Sequence, residues 1–586
     1  MQENGGGGQR GGEKEGAEDE RVAIQGRKDC RSHAASLLLR LVGFSYLVAF
    51  TSVFLQAPGL YADLADRGGD QELSAGVLVE AEARKPWDVS FFHDHVWNVL
   101  LSLFLVCWVL YQSIFLVGQT FLSFQWDIFL LEVGGLVLLF APLTSYGSRR
   151  GPTQLSALCL HFCLFKIMLM SGVVKVQARC PTWMGLTALH YHYASQCIPT
   201  PLSWFAHQLP NFIQKLSVVG TFIIEIPAAF LILLPFRQAR VWAAWLNIFL
   251  MVCIMLTGNY TFFNLLTATV CLSLLDDASF SWRWKKRTRR DKRPSRTPSK
   301  GLQNTTSVLH SEQFLKSLHE LEGREWSLRS CTKSFMEVAF TEEEMDQWIE
   351  TSLFWCIPMF FAHFLGQAVR EAAQVYTTSR SILRRCWRFG NLMIVFVFGS
   401  MYLFASLEPL SSIAPATRKL FLPFVPSLSS RAQAWRLTSG YGLFRRMTGV
   451  GQKTQVLPNS GGKAIPVVAR PELELQGSDD GTNWKPLEFK FKPAGLLLGS
   501  ASWLARHFLG DAPAATRLAA LGSYQYNPWL LVLIYRLLEG SDATRSLLAT
   551  ELWPKEWSAG SPPRAIRIIK FEYDFVRQEQ AKSGKW

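Results

Sequence analysis

Five ionisable side chains stand inside or at the ends of long apolar runs: Asp127, Glu132, Lys166, Lys175 and Glu225. A charge in hydrocarbon is costly unless it is paired or lines a polar path, so each is a functional candidate. Lys166 lies mid-run, whereas Asp127 and Lys175 lie at run ends, from where a side chain can snorkel towards the headgroups. Two chemistries follow. A buried pair of Lys166 with Glu132 or Glu225 would hold helices together. Alternatively, a desolvated Lys166 or Lys175 gives up its proton readily enough to serve as a base, in a membrane-embedded enzyme acting on a lipid or protein substrate. A transporter using the same groups is a weaker third reading, because no repeat relates two halves of the chain.

Other reactive residue types give less. His190, His192 and His207 sit among aromatics in 180–210. On a helix, positions two apart point to different faces, and no nearby acid completes a metal triad, so an ordered interfacial loop is expected. No metal, cofactor or catalytic residue is assigned. No phosphate-binding loop, nucleophile elbow, HExxH or GxGxxG stands in a supporting context. Of the eleven cysteines none forms a CxxC and none follows Cys386, so the last 200 residues hold no Cys-ligated zinc module and no disulfide staple. Cys159 and Cys163, four apart in an apolar run, read as helix packing. Cys180 and Cys197 share one polar loop and are a candidate disulfide if that loop is lumenal.

The elements that must position these groups are mostly membrane helices. The chain has 586 residues, too many for one core, with 49% hydrophobic and only 18% charged residues against about 25% in soluble domains. Collagen, coiled coil, wholesale disorder and a small disulfide scaffold are excluded. Residues 1–35 form a Gly- and charge-rich tail, expected to be disordered and cytosolic, with no cleavable signal peptide. Apolar runs follow at 37–55, 96–117, 128–143, 155–176, 213–235, 241–257, 262–275, 352–368 and 390–408. A span needs roughly 20 apolar residues, so 128–143, 262–275 and 352–368 are short and any of the three could be re-entrant, with 262–275 and 352–368 the preferred pair. That leaves seven spans, with nine as the alternative. The expected order is a transmembrane bundle over 36–277, a basic linker over 278–312, and an amphipathic helix with the remaining spans over 313–409.

Within the linker, 283–300 carries ten basic residues and one acid, from a net charge of +14. The run reads as a solvated loop that fixes orientation, placed in the cytosol by the seven-span count. Lipid headgroups are a lesser reading, and nucleic acid is not a partner, since no recognition module flanks the run. The sequons at Asn259 and Asn304 are usable only on the lumenal side.

After a linker over 410–440 the pattern changes. Residues 471–493 alternate apolar and polar either side of Gly477-Ser478-Asp479-Asp480-Gly481, a hairpin signal. Residues 527–541 read as a helix with Pro528 in its first turn and Gly540 just past its end. Residues 564–575 return to strand alternation. The fold class is thus a polytopic α-helical bundle followed by a small α+β domain over 441–576.

Several long strings carry a resemblance: FLSFQWDIFLLEVG (121–134), SGVVKVQARCPTWMGLTALHYHY (171–193), IPTPLSWFAHQLP (198–210) and GNYTFFNLLTATVCLSLLDD (258–277). SGYGLFRRMTGVG (439–451), RPELELQGSDDGTNWKPLEFKFKP (470–493) and NPWLLVLIYRLLEG (527–540) follow in order. Across about 37–576 the chain resembles the lipase maturation factor family. About sixteen residues, 451–466, are inserted between the last MTGVG string and the RPEL strand. The resemblance implies a multi-pass protein of the endoplasmic reticulum membrane with a lumenal C-terminal domain. It implies no enzyme and no cofactor, but assistance to secretory clients, lipases above all, alongside other folding factors of that compartment. Tyr441, Leu443, Phe444, Arg445 and Arg446 then either begin a strand and pack inward or meet a client. Trp484, on the hairpin turn, is the expected exposed anchor.

Overall fold

The computed structural model describes residues 32–65, 89–118, 121–140, 153–196, 199–276, 341–378, 381–447, 449–456, 464–468, 470–489, 519–522, 524–550 and 561–572, with 279, 553 and 557. All but 279 belong to one unit, made of 1–277 with 340–586; the second unit, 278–339, is otherwise outside the described residues. Residues 1–31 of the N-terminal tail, the basic run 283–300 and Asn304 also lie outside them, whereas 32–35, expected in the tail, are helical.

The chain begins with α1 (Ser32–Ala65) and α2 (Val89–Gly118). These run parallel: Gly43 approaches Phe104, and Phe50 stands edge-on to Tyr111 at 5.5 Å. Alternate crossing of successive helices therefore does not describe this bundle. Next come α3 (Gln125–Phe140), antiparallel to α2 through Tyr111–Asp127 and Trp108–Leu131, and α4 (Gln154–Gln177). A helix that is apolar on all sides belongs in a core. Accordingly α4 is 94% buried over its most apolar window, against 22–44% for the other long helices.

Short helices α5 (Pro181–Met184), α6 (Ala188–Ser195) and α7 (Pro201–His207) fold over one end of α4. The next apolar run divides into α8 (Asn211–Glu225) and α9 (Pro227–Leu233), because Pro227 has no N–H to continue the ladder. Then α10 (Arg237–Thr257) and α11 (Phe263–Cys271), extended by a 3-10 turn to Leu274, form an antiparallel pair. Arg237, first in α10, meets Asp276, just past that turn, at 2.5 and 2.7 Å. The run 262–275 thus packs back on α10, with its end beside the start of that helix.

The expectation of a re-entrant 352–368 is corrected, whereas 263–274 stays too short to count among the candidate spans. The run 352–368 lies inside α12 (Glu342–Thr378), a continuous helix of 37 residues or about 55 Å, despite Pro358. This helix runs antiparallel to α4, with Asp346 near Gln177 at one end and Glu371 on the Gln154 amide at the other. It leads to α13 (Ile382–Ala405), α14 (Leu407–Ser411) and α15 (Val425–Ala434). Among the described residues seven helices are long and apolar enough to cross a membrane: Ala34–Phe54, Leu101–Gly118, Gln154–Gln177, Asn211–Leu233, Arg237–Thr257, Glu343–Thr377 and Ile382–Ser411. The number agrees with the expectation but the membership does not, since 352–368 replaces 128–143.

Beyond residue 447 strands appear. β1 (Val450–Val456) and β2 (Ala464–Val468) pair antiparallel, in the stretch expected to be an insertion. A second sheet has the order β4-β3-β5, all antiparallel: β3 (Pro471–Ser478), β4 (Lys485–Pro486) and β5 (Ala565–Glu572). The turn between β3 and β4 places Gly481 at φ +72°, where a side chain would be strained. Helix α16 (Pro528–Leu538) lays Leu530, Leu533 and Leu537 in one core with Leu475 of the sheet and Leu487 just past β4, and α17 (Asp542–Arg545) follows. Pro528 opens α16 and Gly540, at φ +78°, follows its end, as the residue types dictate.

Candidate functional site

Four of the five ionisable candidates form two separate pairs around α4. Glu132 of α3 and Lys166 of α4, both fully buried, lie 2.6 Å apart. The carboxylate accepts more than this one bond. Tyr402 of α13 donates to Oε1 at 2.7 Å and Tyr441 donates to Oε2 at 2.6 Å, with the Cys163 thiol 3.5 Å from Oε1. The ammonium is equally occupied, donating to Glu132, to Thr438 Oγ1 at 2.9 Å and to Ser406 Oγ at 3.4 Å. Three N–H groups meet three acceptors, and the rings of Tyr402 and Tyr441 flank the cation at 5.5 and 5.7 Å. A buried ion pair holds only when its remaining bonds are satisfied, and here they are.

The second pair joins Lys175 to Glu225 Oε2 at 2.5 Å. Lys175 also donates to the Ser171 carbonyl at 3.1 Å and lies 5.4 Å from the Trp183 ring. Glu225 is the last residue of α8, at the break that Pro227 creates. Lys175 is 2% exposed, so it does not snorkel as its run-end position suggests. Nor does Asp127: it is buried, and accepts from Tyr111 at 2.5 Å.

The end of α4 is closed by residues that come from after α15. Tyr441 is buried against Glu132 and Phe129, so it belongs to the bundle and starts no strand. Residues 441–447 are turns. Leu443 and Phe444 are half-buried against the bundle core, and Arg445 and Arg446 are exposed, the latter donating to the Ala178 carbonyl at 3.3 Å. Trp183 donates to the Phe444 carbonyl at 2.9 Å, and the Met447 amide meets Cys180 Sγ at 3.5 Å. Farther along, Arg470 donates to the Ala194 carbonyl at 2.6 Å.

Of the histidines, His192 packs on Tyr260 and Phe444, its Nε2 3.0 Å from the Tyr260 hydroxyl. Burial, and then the charge of Lys175, push it down to about 4. Burial, then His207 and Lys215, lower His190 as well. Among the described residues no group of three His, Cys, Asp or Glu is placed to hold a metal. Cys180 carries a buried thiol beside Thr182; its candidate partner Cys197 lies outside the described residues. Asn259 is buried, its Oδ1 on the Thr261 amide at 3.2 Å. Trp484 is half-buried, with the Arg567 guanidinium 4.3 Å above its ring, and so is not a fully exposed anchor.

Sequence reasoning missed Tyr402, Ser406 and Thr438 as members of the Glu132–Lys166 cluster. It also missed His161, buried in α4 with Nε2 3.0 Å from the Ser273 carbonyl. A search of the runs for every polar hydroxyl and imidazole, not only for charges, would have found Tyr402 and His161. Thr438 lies outside any apolar run and leaves no such signal.

A buried, satisfied polar cluster inside a multi-helix bundle, tied to a small β-rich C-terminal part, describes a multi-pass membrane protein with a buried polar core. The sequence comparisons give its family. The family model described as lipase maturation factor transmembrane domain matches residues 73–282, and that of the lipase maturation factor C-terminal domain matches 437–586. Lipase maturation factor 2 of Xenopus laevis is 32% identical over 588 residues, covering 92% of this chain and 78% of that one. The human protein of that name is 32% identical, over 94% and 80%. Lipase maturation factor 1 of Mus musculus is 25% identical, over 82% and 67%. The chain belongs to the lipase maturation factor family. No solved structure matches it.

Proposed function

We propose that the chain is a non-enzymatic maturation factor of the endoplasmic reticulum membrane that assists the folding and assembly of secreted proteins, lipases first among them. Family membership over both the bundle and the C-terminal part carries this reading. The polar core supports it: a general base needs a lone pair open to substrate, whereas Lys166 has every N–H directed at an internal acceptor. In this reading the C-terminal part faces the lumen, because the clients are lumenal, and Arg445 and Arg446 are its most accessible candidates for client contact.

The test is secretion of active lipase from cells lacking the protein. Loss of lipase activity, restored by the wild-type chain, is expected. Unchanged activity and secretion across several lipases and other glycoproteins would remove the proposal. An enzyme with Lys166 or Lys175 as its base predicts a different outcome: Lys→Met variants that accumulate normally but support no maturation.

A further inference from the structure

We propose that α16 is an interfacial helix whose outward face inserts into the bilayer surface beside the bundle, pinning the C-terminal sheet to the membrane. Two faces of this helix are apolar. Leu530, Leu533 and Leu537 are buried in the domain core, while Leu531, Tyr535 and Leu538, spaced four and three apart, form a second stripe that is 50, 58 and 37% exposed. A helix that needs only one apolar face to pack on its sheet has a second one to place.

Its surroundings select lipid as the occupant. Trp529, second in α16, packs edge-on against Phe121 at 5.3 Å, and Phe121 lies three residues beyond the end of the candidate span Leu101–Gly118. The last turn of that span presents Leu116 and Val117 to the outside, 67 and 54% exposed, as a lipid-facing surface does. Helix α17 lies against α1, which contains another candidate span. The apolar stripe of α16 thus continues the lipid-facing surface where a span leaves the membrane. Tyrosine and tryptophan at this level suit the headgroup zone, where one edge of the ring is wet and the other apolar.

The test places a benzophenone amino acid at Leu531, at Tyr535 or, as control, at Asn483 on the exposed β3–β4 turn. The full chain is reconstituted in phosphatidylcholine vesicles, irradiated and analysed by mass. Phospholipid adducts at positions 531 and 535 about tenfold above those at 483 are expected, since an apolar helix face settles into the headgroup–acyl boundary. Adducts no more frequent than at 483 would overturn the proposal. So would cross-links from 531 and 535 to other segments of this chain in the vesicles, or, in microsomes, to a secreted protein in place of lipid. Both positions are exposed, so the substitutions leave the packed face intact.

Discussion

The Tyr441 hydroxyl stands 2.6 Å from Glu132 Oε2, joining two residues 309 apart in sequence. Through this bond the segment leading into the C-terminal sheet closes a polar cluster that also holds α3, α4 and α13. The coupling makes bundle and C-terminal part interdependent, and that interdependence can be measured.

Removing one charge leaves the other buried without its partner. Lys166→Met is expected to destabilise the chain by about 3–5 kcal/mol and to lower its abundance. Pairing it with Glu132→Leu should restore only part of the loss: the unpaired charge is gone, but the buried Tyr402 and Tyr441 hydroxyls lose their acceptor. Thermal unfolding of the two variants in detergent checks this, and equal loss in both would contradict the pairing.

Tyr441→Phe and Tyr402→Phe each delete one hydrogen bond to a carboxylate, worth roughly 1.5–3 kcal/mol. Only the first frees the segment that leads to β1. Limited proteolysis should therefore cut Tyr441→Phe between 441 and 470 faster than Tyr402→Phe. Identical cleavage would separate Tyr441 from anchoring.

Gly172 faces the α8–α9 break, where an added Cβ would fall 2.6 Å from Ile226 and 2.9 Å from the Glu225 Cβ. Gly172→Ala should cost about 1–3 kcal/mol through overpacking and displace Glu225 from Lys175. Gly220, with open space around it, is the control and should tolerate Ala. The unfolding temperatures of the two variants distinguish them.

His192 is held near 4 by burial and by Lys175, below its ordinary 6.5. The unfolded chain therefore takes up a proton in that interval before the folded one does, so stability falls as pH drops from 6.5 towards 4. The loss should reach roughly 1–2 kcal/mol, less than the full shift implies because the ring is partly exposed. Unfolding temperature should fall more between about pH 7 and pH 5 in the wild type than in His192→Gln. Parallel slopes would assign the pH dependence elsewhere.

Residue order alone determined much of this protein. Length and hydrophobicity defined the spans, since a helix of about 20 apolar residues suits the bilayer whatever surrounds it. Period-two alternation, Gly481 and the Pro528–Gly540 bracket defined β3, β4, α16 and β5, because these signals act within a few residues. The charges in the runs marked Glu132, Lys166, Lys175 and Glu225, since hydrocarbon makes any ionisable group conspicuous. Tertiary structure alone decided which lysine met which acid: helix α4 is central, and its two lysines, nine positions apart, face different neighbours. It also decided that α1 and α2 run parallel and that 352–368 continues one long helix. Tyr441 and Thr438 entered the polar core for the same reason. The local sequence reads as a linker at Thr438 and as the start of the C-terminal domain at Tyr441, and only the fold brings both to the Glu132–Lys166 pair.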